Sequence, residues 1–94
     1  MAVGLLTLHI AIPDCRSLKQ KRSRIQPVLA RLHREFNLAA AEMNLQDIHQ
    51  EAEIQCTALS TSSREVQAYL QHVVDFFAET WPDEEILQYR IECL

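Results

Sequence analysis

The chemistry concentrated in this sequence is positive charge. Of nine basic residues, seven fall in one short segment: Arg16, Lys19, Lys21, Arg22, Arg24, Arg31 and Arg34. Ten of the thirteen acids come after residue 45, and the chain carries a formal charge of −4. An acidic molecule with one basic segment argues against wholesale coating of nucleic acid and leaves room for one basic face that touches phosphate. Such side chains neutralise phosphates and release counterions, a grip that ignores base sequence. The competing account is a solvated helix face that keeps the protein soluble. Cations in a first helical turn also oppose the helix dipole. On a helical wheel Lys19, Arg24, Arg31 and Arg34 fall on the solvent side. Lys21 and Arg22 flank the apolar stripe, where their stems can pack on a sheet.

Other groups able to do chemistry are less organised. Cys15, Cys56 and Cys93 accompany His9, His33, His49 and His72, with no C-x-x-C or H-x-x-x-H spacing, so no metal is expected. Cys56 and Cys93 take core-facing positions, where thiols behave as small hydrophobes. Cys15, beside Arg16, is the thiol expected to be exposed and activated. An odd cysteine count points to reduced thiols in a cytoplasmic protein. No base stands ready for a nucleophile, and Asp83, Glu84 and Glu85 read as a solvated turn. The chain is therefore expected to be non-enzymatic, with no catalytic residue and no cofactor. An enzyme of acylphosphatase type would need a glycine-rich anion cradle after the first strand, and IPDCRSLKQKR contains no Gly.

The elements that must carry these groups follow from periodicity. Residues 3–12 alternate, with Leu6, Leu8, Ile10 and Ile12 on one side, and Pro13-Asp14 ends the strand. Ser17 and Gln20 form a capping box, followed by a stripe of Leu18, Ile25, Val28, Leu29, Leu32 and Phe36. Pro27 predicts a kink near Ser23 or a helix restarting at Pro27. Residues 38–44 read as a strand because a helix of that combined length would be unusual, and 45–50 as a connection. Residues 51–60 alternate, Ser62 and Glu65 cap a second helix that ends before Pro82, and 85–94 alternate again. The expected fold is a single α+β domain over 1–94. It is a ferredoxin-like βαββαβ sandwich, with an antiparallel four-stranded sheet and both helices on one face. A domain of this size buries roughly 60–70% of its unfolded surface, enough for one core. The expected core is Leu6, Leu8, Ile10, Leu29, Leu32, Phe36, Ile54, Cys56, Leu70, Val73, Phe77 and Ile91. The opening MAVGLLTLHIAIPD lacks a basic leader segment and is too short to span a bilayer, so no membrane association is expected.

The segments VGLLTLHIAIP at 3–13, RSLKQKR at 16–22, RLHREFN at 31–37, AAAEMNLQD at 39–47 and YRIECL at 89–94 resemble the YlxP-like bacterial family, whose function is unknown. That resemblance implies the same split β-α-β fold. Genes of the family often neighbour those for translation initiation factor two and ribosome-binding factor A, which implies a role near RNA or the small ribosomal subunit. The chain departs from the family pattern at His49, Glu51 and Pro27. The open sheet face lacks the aromatic residues that RNA-recognition domains stack on bases. Its partly apolar character, with Leu5 and Leu59, predicts a homodimer through that face or an edge strand.

Overall fold

A computed structural model describes residues 1–94. Its elements are β1 (Ala2–Ala11), α1 (Leu18–Glu35), β2 (Ala39–Met43), β3 (Glu51–Ser60), α2 (Ser63–Thr80) and β4 (Ile86–Cys93). The strands form one antiparallel sheet in the order β2-β3-β1-β4. This is the expected α+β ferredoxin-like arrangement. Register explains the sidedness. Leu6 faces Cys56 and Leu8 faces Ile54 across β1 and β3, and this row is buried beneath both helices. Ile25, Val28 and Leu32 from α1 meet it, as do Val66, Leu70, Val73, Val74 and Phe77 from α2. Leu29, Phe36 and Ile91, expected in the core, lie partly buried at its margin. Helix α1 packs over β2, and α2 packs over β1, β3 and β4.

Both helix starts obey their local signals. Ser17 accepts from the Gln20 N–H at 3.1 Å, and Ser62 accepts from that of Glu65 at 3.2 Å. The return contacts differ from reciprocal capping boxes. Gln20 Oε1 accepts from the Arg16 N–H, and Glu65 Oε2 accepts from the hydroxyls of Ser60 and Thr61. Those two hydroxyls hold the Glu65 carboxyl below its ordinary pKa.

Three expectations are corrected. Helix α1 does not restart at Pro27 but continues through it: Pro27 and Ser23 are both exposed, so water can serve the carbonyl that loses its partner. Cys93 is exposed and Cys15 is buried. Cys93 sits on an edge strand, whereas Cys15 lies under the β1–α1 turn with its thiol donating to the Ser17 carbonyl. The β1–β4 register shifts between His9 and Ile10, and Leu87, beside that shift, is exposed.

At Gly4, β1 lies close against α2. A Cβ there would lie 2.8 Å from Leu70 Cδ1 and 2.9 Å from Val66 Cγ2. Gly4→Ala is therefore expected to cost about 1–3 kcal/mol through overpacking. Urea denaturation reads this directly, and an unchanged midpoint would contradict the tight β1–α2 contact.

Candidate nucleic-acid interface

The seven basic residues do not form one class. Lys21 is only 2% exposed. Its Nζ donates to the carbonyls of Leu45 and Ile48, each at 2.7 Å, and lies 2.8 Å from Glu42 Oε2. That carboxylate oxygen is buried with no hydrogen bond of proper geometry, so its contact with the ammonium is one of charge. Lys21 is thus spent inside the protein. It closes the β2–β3 connection, where Asn44 and Leu45 hold positive φ of 51° and 46°, a costly conformation for a residue as bulky as Leu. Its placing as a flanking surface residue is corrected: the spacing Lys21, Ile25, Val28, Leu32 makes it part of the buried stripe.

Arg24 and Arg31 are also engaged. Arg24 donates to Glu84 Oε1 through Nη2 at 2.6 Å and to the Pro13 carbonyl at 2.6 Å, tying α1 to the turns on either side. Arg31 pairs with Glu35 at 3.1 Å and lies over the Phe76 ring, 5.5 Å from its centroid. Both were expected to face solvent freely; both are half-buried, because Glu84 reaches Arg24 and Phe76 reaches Arg31 from elsewhere in the chain.

Arg16, Lys19, Arg22 and Arg34 remain. All four are exposed, and none belongs to any of the protein's ion pairs. Lys19 and Arg34 lie on the α1 face opposite the buried stripe, Arg22 flanks that stripe beside Lys21, and Arg16 stands just before the Ser17 cap. At 1.5 Å per residue, Lys19 and Arg34 are about 22 Å apart along the axis. The first turn of α1 holds no acid, so the helix itself does not neutralise this end. Asp47 lines the same shallow recess as Arg22 without pairing with it.

The open sheet face offers different chemistry. His9 Nε2 lies 2.5 Å from Glu51 Oε1, Gln55 donates to Thr7 Oγ1, and Arg90 pairs with Glu92 at 2.9 Å. These polar groups satisfy one another. Beside them an apolar groove is lined by Leu5, Ala39, Ala41 and Met43. No Phe, Tyr or Trp projects from this face, so bases have no stacking platform there. Cys56 is buried, which pushes its thiol up to about 12 and keeps it protonated and unreactive. No three His, Cys, Asp or Glu side chains gather into a metal-binding group. No helix is long and apolar enough to cross a membrane.

Comparison with known proteins places the chain in a family while assigning no activity. The chain is 30% identical over 83 residues to the uncharacterized protein YlxP of Bacillus subtilis (strain 168), covering 88% of this chain and 89% of that protein. Residues 3–91 match the family described as protein of unknown function DUF503. With nearly its whole length so matched, the chain belongs to the DUF503 family.

Proposed function

We propose that this protein is a non-enzymatic, cytoplasmic RNA- or ribosome-associated factor that grips phosphate through the outer face of α1 and serves small-subunit maturation or translation. The observation that carries the proposal is the unpaired state of Arg16, Lys19, Arg22 and Arg34 in a chain of net charge −4. Three of the seven basic residues in this segment have partners within the fold; these four have none. Lys19 sits where the helix dipole disfavours cations, so the arrangement weakens the isolated helix. A bound anion would relieve it, since free N–H groups at a helix start favour negative charge. The gene neighbourhood implied by the family resemblance supports the same reading. Binding of this kind positions without reading bases.

Cosedimentation with small ribosomal subunits from the same cell tests it. The protein is expected in the subunit fraction at low salt and free at high salt, because phosphate contacts are displaced by counterions. Absence from the fraction at low salt, or retention that ignores salt, would contradict the proposal.

A further inference from the structure

The two edges of the sheet are treated differently. On β2 the even-numbered residues turn their backbone groups away from β3. Two of those groups are covered by side chains: the Ala40 N–H donates to His33 Nε2 at 3.1 Å, and the Glu42 carbonyl accepts from Gln46 Nε2 at 3.3 Å. Covering of this sort discourages pairing with another chain. On β4 nothing comparable exists. The Leu94 N–H donates to the Val3 carbonyl at 2.7 Å, which marks Val3 and Leu94 as a hydrogen-bonded pair. Alternation along the register then makes Leu5–Glu92, Thr7–Arg90 and His9–Gln88 hydrogen-bonded pairs as well. The N–H and C=O groups of Tyr89, Ile91 and Cys93 consequently point off the sheet, with no side chain covering them. The strand contains no Pro or Lys, and its one bulge lies at its start, beside Leu87. Leu87, Tyr89 and Leu94 are 47%, 44% and 78% exposed along this edge.

We propose that β4 is the edge through which two copies of this chain join, antiparallel about a two-fold axis at Ile91, making one continuous eight-stranded sheet. In that register Ile91 meets Ile91 of the second copy, and Tyr89 meets Cys93 of the second copy, so every outward backbone group of these residues gains a partner. The charges argue for a second copy as the occupant. Arg90 and Glu92 stand on the same sheet face, and two-fold pairing about Ile91 sets each Arg90 opposite the other copy's Glu92, in the closely spaced non-hydrogen-bonded position. The strand is thus complementary to itself. Helix α1 covers β2 at the opposite edge, so the dimer leaves both basic faces free, and the RNA proposal and this one can fail separately.

Charge exchange tests the register, under reducing conditions so that Cys93 cannot mimic association by oxidation. Sedimentation should report a dimer for the native chain. Arg90→Glu alone places like charges opposite each other twice, as does Glu92→Arg alone. Each is expected to weaken association at least about tenfold. Both positions are exposed at the surface, 64% and 44%, so the monomer fold should persist by circular dichroism. Mixing the two single variants should give a one-to-one heterodimer, and the double exchange in one chain should restore the homodimer. The amides of Tyr89, Ile91 and Cys93 should exchange with solvent slowly in the dimer. A native chain that stays monomeric up to about 1 mM, leaving the edge to an extended peptide from another protein, would overturn the proposal. So would a dimer indifferent to either reversal, or variants that fail to associate on mixing.

Discussion

Lys21→Met is expected to remove about 3–5 kcal/mol of folding stability, the largest single-residue effect on stability in the account. Methionine keeps the length and most of the volume of the stem, so the loss reports on the ammonium. Removing it strands the carbonyls of Leu45 and Ile48 and leaves the buried oxygen of Glu42 without its compensating charge. The turn at Asn44 and Leu45, held at positive φ, also loses its anchor to α1. Denaturation with urea should show a lower midpoint and an unchanged slope. Adding Glu42→Gln to Lys21→Met should cost less than the two single losses together, because the uncompensated charge is gone. A loss under about 1 kcal/mol for Lys21→Met, the range of ordinary surface changes, would show that the ammonium is not structural.

The second large effect is on association. Converting Arg16, Lys19, Arg22 and Arg34 together to Glu should abolish binding to RNA or small subunits while leaving the fold intact. None of the four has an internal partner to lose; an acid at Lys19 suits the helix dipole while one at Arg34, in the last turn, opposes it, so stability should change little. Arg24→Ala and Arg31→Ala should do the reverse. Each gives up contacts within the fold, with Glu84 and Pro13 or with Glu35 and Phe76, and should lower stability while leaving association nearly unchanged. Cosedimentation and thermal unfolding on the same samples separate the two sets.

The parts of the molecule that sequence reveals are those with local causes. Ser17 and Ser62 mark helix starts because a hydroxyl three residues from a free N–H is a short-range device. Strand β2 was legible from the break at Asn37 and from the improbable length of a continuous helix. What escaped depends on residues distant in the chain. Lys21 is held inside by carbonyls 24 and 27 residues away, in an irregular turn that no periodicity describes, although its spacing with Ile25, Val28 and Leu32 was visible. Arg24 is claimed by Glu84, 60 residues on, so a wheel of α1 alone makes it appear free. Cys93 was misplaced because alternation tells which face a residue takes but not whether its strand has a neighbour on both sides, and β4 forms an edge. The basic segment was thus visible in the sequence, but its division into structural and free charges required the fold.

The central claim is that four free charges on α1 and just before it bind phosphate without reading bases, and the salt dependence of binding to single-stranded RNA tests it most directly. Each phosphate contact contributes a log–log slope of about −0.7, so four contacts predict a slope of about −3. Lys19→Ala should reduce that slope by about 0.7, equally for RNAs of different sequence. A slope near zero, a preference among sequences that survives high salt, or a slope unaltered by reversing all four residues would contradict the account.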